Sequence, residues 1–434
     1  MDYKNKKVLV CGAARSGIAA AVLLEKNGAR VTLQDKKESF HTSDKLKNIQ
    51  LYTGKNPDDI IADYDCIILS PGIPYDTPFI TKAAALNKYI IGEFELACQF
   101  YKGSILAITG TNGKTTTTLL TAHLLKSKNV VVGGNIGDPL TANLSDRLCI
   151  AEVSSFQLET TDTFKPHIAA VLNLSEDHLD RHYTMDNYAA IKERIFKNQS
   201  SADFALLNYD NAYTRNMKSQ ARTIFFSTKT ILDYGVFLDG DNIKINLEQQ
   251  HTISLKNFPL KGRHNKENAV AAVTFAYLTG ISPDETEANL ATFTPPPHRL
   301  EYFCTINHVD FYNDSKATNP LASIVSIESL DAPSIIIAGG EAKKSDYSLW
   351  AVKARHFVLF GRDKEYLAQI IKANGGNYTL AEDLENAVDI SLSLAKPNEN
   401  IVLSPACASF DMFKDYEERG DKFKEIVRTR IQKI

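Results

Sequence analysis

The chain has 434 residues, 44% of them hydrophobic and 23% charged, with a formal net charge of −3. That length exceeds what one hydrophobic core sustains, so two or three domains are expected, and the near-balanced charge offers no electrostatic footprint for nucleic acid or an anionic membrane. No apolar run is long enough for a secretory leader or a bilayer span, so the expectation is a cytoplasmic protein acting on small molecules.

In the first ninety residues short apolar runs alternate with helical patterns: KKVLVCG, SGIAAAVLLEKNG, RVTLQD, DCIILSPG, then a helix-like stretch before YIIGE. Strand and helix alternation with short links specifies a parallel sheet. The first loop, GAARSG, has Ala14 where a dinucleotide fingerprint carries its second glycine, and Asp35 ends the next strand where a ribose-binding acid belongs. It suits another nucleotide, or only helix–sheet packing.

A second unit opens with SILAITG and the stretch TGTNGKTT, Thr109 to Thr116. The usual phosphate loop GxxxxGK[ST] wants a glycine at 108 and meets Ile108. Strand, glycine loop and helix are nevertheless in order, so Lys114 can reach β and γ phosphates and the Thr115 hydroxyl can bind Mg²⁺; the alternative is a glycine turn with an incidental lysine. LCIAEVSSFQLE puts Glu152 at a strand's C-terminal end beside Ser154, Ser155 and Gln157, where ligands of open parallel sheets gather. One carboxylate there suits Mg²⁺, although a cap or surface role fits it equally.

HIAAVLNLS runs into NLSEDHLDRH, bringing Asp177, His178, Asp180, Arg181 and His182 to the same sheet edge, with His178 placed for metal or substrate. Lys192 follows on a helix whose apolar face is Tyr188, Ile191, Ile195 and Phe196; by spacing alone it is a solvated lysine. Residues 223–260 change to short alternating segments, as in an antiparallel β insertion. His264 and Asn265 then sit at a helix start with Asn268 a turn further on, either a nucleotide contact or a cap.

The triple proline Pro295-Pro296-Pro297 reads as a hinge. Beyond it SIIIAGG, HFVLFG and NIVLSPA recur with helical patterns between them, giving a third α/β unit. FYNDSKATNP places Asp314, Ser315, Lys316, Thr318 and Asn319 before a proline-started helix, and SPACASFDMF leads into the terminal helix, whose first donors can hold a carboxylate. The expected boundaries divide the chain into 1–92, 93–297 and 298–434. Six scattered cysteines without a CxxC pair suggest neither a disulfide framework nor a zinc site.

Together TGTNGKTTT, EVSSFQLE, NLSEDHLDRH, the Tyr188-to-Lys192 segment, GRHN, HRLE, NDSKATN and SPACASFDMF resemble the Mur ligase family of peptidoglycan synthesis across nearly the whole chain. The resemblance implies an α/β protein of three domains: a Rossmann-like N-terminal domain for a UDP group, a central P-loop-type mononucleotide-binding domain with a small β insertion, and a C-terminal Rossmann-like domain for the amino acid. It implies a monomeric, ATP-dependent ligase, and SSFQLE, SKATN and SPACASFDMF favour the member that adds D-glutamate to UDP-N-acetylmuramoyl-L-alanine. Carried over by position, Gly110, Thr111, Asn112, Gly113, Lys114, Thr115, Thr116, Asn268, Arg299, Asp314 and Lys316 would contact the nucleotide. Lys114, Glu152, His178 and Lys192 would be catalytic. Two Mg²⁺ are implied, one on Thr115 and one on Glu152 and His178, with Lys192 carbamylated into a further ligand. Ala14, Arg15, Asp35, Lys36, Ser70, Pro71, Gly72, Asn135, Ser154, Gln157 and His178 would face the UDP substrate. Lys343, Ser409, Phe410 and Tyr416 would face D-glutamate, and because Glu341-Ala342 replaces the Asp-Gly of relatives, Lys344 is an alternative to Lys343.

Overall fold

The computed structural model describes every residue except 39–45, 261, 295, 296, 329, 331, 344 and 432–434. Three sheets carry the chain. The first has strands β1 Lys7–Cys11, β2 Arg30–Asp35, β3 Gln50–Thr53, β4 Cys66–Leu69 and β5 Tyr89–Gly92, all parallel, in the order β3-β2-β1-β4-β5. β4 is buried along its whole length, and β1 everywhere but at Lys7, which is why they read as unbroken apolar runs.

The second sheet has nine strands: β6 Ile105–Thr109, β7 Val131–Gly134, β8 Cys149–Glu152, β9 Ile168–Val171, β10 Phe204–Asn208, β11 Arg222–Ser227, β12 Gly235–Asp239, β13 Asn242–Asn246 and β14 Gln250–Ser254. Their order is β14-β13-β12-β11-β10-β9-β6-β8-β7. The first strand of the unit, β6, thus lies between β8 and β9, and this reversal of strand order opens the crevice in which such sheets bind ligands. The antiparallel insertion begins later than expected: β11 still runs parallel to β10, and only β12, β13 and β14 alternate in direction. β11 looked like part of the insertion because it is only half covered near its start, so its sequence alternates.

The third sheet has β15 Glu301–Ile306, β16 Val309–Asn313, β17 Ser334–Gly339, β18 His356–Phe360, β19 Tyr378–Leu380 and β20 Asn400–Leu403, in the order β15-β16-β20-β17-β18-β19. All pairs are parallel except the β15–β16 hairpin. By compactness the chain divides into two units, residues 1–257 with 267–292, which hold the first two sheets, and residues 258–266 with 293–434, which hold the third. Pro295 and Pro296 of the expected hinge lie outside the described residues. Among the described residues no helix is long and apolar enough to cross a membrane.

Within the first unit two buried carboxylates fasten the helix Glu93–Phe100, which leaves the first sheet, to loops of the second. Glu95 accepts the backbone N–H groups of Asp162, Thr163 and Phe164 at 2.9–3.0 Å and the Thr163 hydroxyl. Glu93 accepts the amide and hydroxyl of Thr141, and burial raises its pKa. Replacing Glu95 by Ala strands three amide donors; at about 1–3 kcal/mol for each buried unsatisfied group, urea unfolding of the first unit is expected to lose about 3 kcal/mol or more, and Glu95→Gln less.

Candidate active site

β6 ends at Thr109 and the chain turns through Gly110 to Gly113 into the helix Lys114–Leu124. Ile108 is an interior residue of the strand, paired with Glu152 and Ala170 on either side, so the loop is shorter than the usual pattern and needs no glycine there. Gly113 is obligatory: its φ is +80°, and a Cβ would stand 2.3 Å from the Asn268 Oδ1. The same Oδ1 accepts the Thr117 hydroxyl at 3.1 Å. Asn173 holds the other side of the loop, its Oδ1 accepting the Asn112 amide at 2.9 Å while its amide group donates to Glu267 at 3.2 Å. Burial raises the Glu267 pKa. Asn173 and Glu267 were overlooked among the quoted strings because nothing in the sequence shows that a strand end and a distant helix meet at the loop.

Lys114 lies back over the loop, donating to the carbonyls of Gly110 at 3.0 Å and Thr111 at 2.7 Å. The next residue, Thr115, donates its hydroxyl to Glu152 Oε2 at 2.6 Å, and Asn135 donates to Glu152 Oε1 at 2.8 Å. Glu152 is buried at the C-terminal end of β8, so the cap and surface readings fall away. Ser154 and Gln157 also close a reciprocal capping box on the short helix Ser155–Leu158, the Gln157 side-chain oxygen accepting the Ser154 amide and the Ser154 hydroxyl oxygen accepting the Gln157 amide.

Lys192 is 1% exposed, which corrects the solvated-lysine reading. It stands one turn after Tyr188 on the inward face of the helix Met185–Glu193, and its Nζ lies 4.7 Å from the centre of the Tyr188 ring. The amine donates to the Gly110 carbonyl at 2.9 Å and the Thr109 hydroxyl at 3.3 Å. Burial drives its pKa well below the usual lysine range; nearby Lys114 adds to the shift, while Asp177 and Glu152 oppose it. Two lysines therefore share one carbonyl at the head of a helix. That is a site prepared for negative charge.

Among the described residues no three His, Cys, Asp or Glu side chains converge. The Glu152 carboxylate with the Thr115 hydroxyl against it still fits Mg²⁺, which takes few protein oxygens and completes its shell with water and phosphate.

His178 caps the four-residue helix Leu179–His182 in the left-handed region, φ +54° and ψ +30°. Tyr183 ends that helix at φ +67° and ψ −47°, a γ-turn closed by the Thr184 amide on the His182 carbonyl at 2.8 Å. Each such backbone costs about 1–3 kcal/mol and persists only where its surroundings impose it. His182 is structural: buried, 3.0 Å from the Ser155 hydroxyl and 3.3 Å from Glu159, with burial and then Arg181 lowering its pKa to about 4. At neutral pH the ring is therefore uncharged, with Nε2 hydrogen-bonded to the Ser155 hydroxyl and Nδ1 beside Glu159.

Of the residues expected to face the UDP substrate, those of the first sheet gather at the C-terminal ends of β1, β2 and β4. Asp35 accepts the amides of Ala13 at 2.7 Å and Lys37 at 2.9 Å, and Ser70 donates to the Gly12 carbonyl at 3.1 Å. A Cβ at Gly17 would lie 1.7 Å from the Gly12 carbonyl oxygen, so this glycine serves close helix–strand packing. Ala14 caps the helix Arg15–Lys26 without a side-chain bond, Arg15 is exposed and paired with Asp138, and Lys36 and Gly72 are exposed.

In the second unit, Asp314 accepts the Leu300 amide at 3.0 Å and the Ser404 hydroxyl at 2.8 Å, and burial pushes its pKa up to about 6. The Lys316 ammonium lies 3.8 Å from the centre of the Tyr416 ring, and Arg299 is half-buried. Ser409 is buried, Phe410 and Lys343 are exposed, and Lys344 lies outside the described residues. The terminal helix starts only at Tyr416, so turns separate it from SPACASFDMF. The sequence reading missed Arg419, fully buried on that helix. Its guanidinium donates to the Ser315 hydroxyl at 3.0 Å, the Ser315 carbonyl at 2.8 Å and the Cys407 carbonyl at 3.2 Å, joining the loops after β16 and β20; burial lowers its pKa to about 10.

A glycine loop between a central parallel strand and a helix, with a carboxylate on the neighbouring strand end, defines a mononucleotide-binding α/β protein. Family models match in three segments: a Mur ligase MurD-like N-terminal domain at residues 6–92, a Mur ligase middle domain at 108–276 and a Mur ligase glutamate ligase domain at 298–407. The chain belongs to the Mur ligase family. Among its relatives, proteins named UDP-N-acetylmuramoylalanine–D-glutamate ligase from Pelotomaculum thermopropionicum and Koribacter versatilis are 42% and 41% identical; the alignments cover 98% and 99% of this chain and 98% of each relative. Solved structures of the same fold include the UDP-N-acetylmuramate–alanine ligase MurC of Thermotoga maritima, 18% identical with TM-score 0.62 over 98% of this chain and 100% of that one. The MurF ligase of the same organism, in complex with ADP, is 16% identical with TM-score 0.62 over 100% and 96%.

The lowered Lys192 pKa sets a pH dependence. The folded protein binds fewer protons than the unfolded chain between that lowered value and about 10.4, so this group makes stability rise with pH across the window. Urea unfolding from pH 7 to 10 in carbon-dioxide-free buffer is expected to show the wild type gaining stability relative to Lys192→Met as pH increases.

Proposed function

We propose that the chain is an ATP-dependent ligase that forms the amide bond between D-glutamate and UDP-N-acetylmuramoyl-L-alanine, acting as a soluble cytoplasmic monomer. The observation that carries this reading is the near-full-length likeness to relatives bearing that name; the ADP complex of a structural neighbour supports ATP use. On this reading residues 1–92 bind the UDP group, 93–297 bind ATP, and 298–434 contribute D-glutamate contacts through Lys343, Ser409, Phe410 and Tyr416, and nucleotide contacts through Arg299, Asp314 and Lys316.

A carboxylate is a poor electrophile, so the L-alanyl carboxylate first takes the γ-phosphoryl group of ATP, giving an acyl phosphate and ADP. The D-glutamate amine then attacks the acyl carbon, and the tetrahedral intermediate expels phosphate as the nitrogen loses its proton. Lys114 leaves the Gly110 and Thr111 carbonyls to hold the transferring phosphoryl group. Thr115 would hold one Mg²⁺, and Glu152, His178 and a carbamylated Lys192 a second; bound there, the ions would neutralise charge between reacting anions. The carbamate forms when the Lys192 amine, whose neutral form burial favours, attacks carbon dioxide and releases a proton. Asn268 steadies the loop at Gly113 and contacts the nucleotide, while Asn135 orients Glu152 near the sugar-peptide.

A second reading, an ATP-driven switch without ligation, predicts no amide product under any substrate combination. Phosphate release with ATP, UDP-N-acetylmuramoyl-L-alanine and single amino acids separates them: release is expected with D-glutamate, and release with L-alanine or L-lysine instead would reject the assignment. Lys192→Ala is expected to lose most of this activity and to regain part of it with added short-chain carboxylates; full activity in the variant would remove the carbamate role.

A further inference from the structure

The segment from His178 to Tyr183 is strained at both ends, and its restraint comes from the first sheet's side of the unit. Arg181 makes the link. Its Nε donates to both Glu159 oxygens at 3.1 Å, Nη1 donates to the Pro71 carbonyl at 2.9 Å, and Nη2 donates to the Ile73 carbonyl at 3.1 Å. Its guanidinium also lies 4.0 Å from the centre of the Phe156 ring, whose centre is 4.8 Å from that of His178 in an edge-to-face arrangement. Two residues on, the exposed Tyr183 donates its hydroxyl to Asp76. A four-residue helix is thus bolted at one end to the loop after β4, while its other end presents His178.

We propose that Arg181 is a positioning residue that couples occupancy of the 70–73 loop by the UDP substrate to the placement of His178; this rests on the ligase reading given above. The carbonyls of Pro71 and Ile73 can both accept from one guanidinium only in a restricted set of loop conformations. A ligand that fixes the loop therefore lowers the cost of holding His178 in its left-handed conformation, and by linkage a held His178 strengthens binding at the loop. Glu159, shared by Arg181 and His182, fixes the guanidinium itself.

The test is a double-mutant cycle read by calorimetry of UDP-N-acetylmuramoyl-L-alanine binding without metal, using Arg181→Met, which keeps an unbranched apolar stem against Phe156, and His178→Ala. Arg181→Met is expected to weaken binding about 10-fold, with the double variant no weaker than the worse single variant, and with ATP binding unchanged. Losses that add, or wild-type binding in Arg181→Met, would overturn the coupling. If Arg181→Met loses ATP binding as well, Arg181→Lys carries the same cycle, since it keeps the charge but loses the planar fork. Failure of the wild type to bind the UDP substrate would defeat the ligase reading and the inference with it, whereas additive losses in a wild type that binds would defeat the inference alone.

Discussion

The carbonyl of Gly110 is the point on which the site depends. It accepts from Lys114 and from Lys192, two amines that repel when both are charged. Lys192 is enclosed and cannot retreat to solvent, so burial, reinforced by Lys114, lowers its pKa and favours its neutral form. In its neutral form such an amine differs chemically from a surface lysine, and under the proposed function it takes up carbon dioxide and becomes an anion, exchanging repulsion from Lys114 for attraction. The loop geometry, with Gly113 against Asn268 and Asn112 against Asn173, keeps that carbonyl in place.

Around this point charge is arranged with little redundancy. Glu152 uses one oxygen for Asn135 and the other for Thr115, so its orientation is set before any ligand arrives. Such preorganisation removes reorganisation from the reacting step. Buried carboxylates at Glu93 and Glu95 do the comparable structural task between the first two sheets, and in the second unit buried Arg419 ties the loops that bear Ser315 and Cys407. Glu95 and Arg419 are partnered mostly by backbone atoms, and Glu93 by the amide and hydroxyl of one remote threonine. That explains their invisibility in a linear reading.

What was legible follows from periodicity and local chemistry. The three α/β units and their parallel strands show as continuous apolar runs, and the order strand, glycine loop, helix marks the phosphate site despite Ile108. Position 108 misleads only if the loop is assumed to have the usual length; the structure has it inside β6. Lys192 was not legible from spacing, because a lysine beside an apolar stripe is equally compatible with a solvated face; in the structure it lies inward beside Tyr188, whose hydroxyl contacts Thr111 of the loop. Arg181 was legible as part of the polar cluster, but its contact with the 70–73 loop was not, nor was Glu267 at the phosphate loop, because their partners lie 110 and 94 residues away along the chain. The start of the antiparallel insertion was misplaced because a half-covered parallel strand alternates much as an antiparallel one does.

The central claim is that burial favours the neutral form of Lys192 and makes it a carbon-dioxide-reactive amine beside the phosphate loop. Carbon-13 NMR of the protein equilibrated with labelled bicarbonate measures this without reference to turnover. The account predicts one protein-bound carbamate carbon in the wild type that disappears in Lys192→Arg. Absence of a bound carbon in the wild type, or its persistence in the variant, would contradict it.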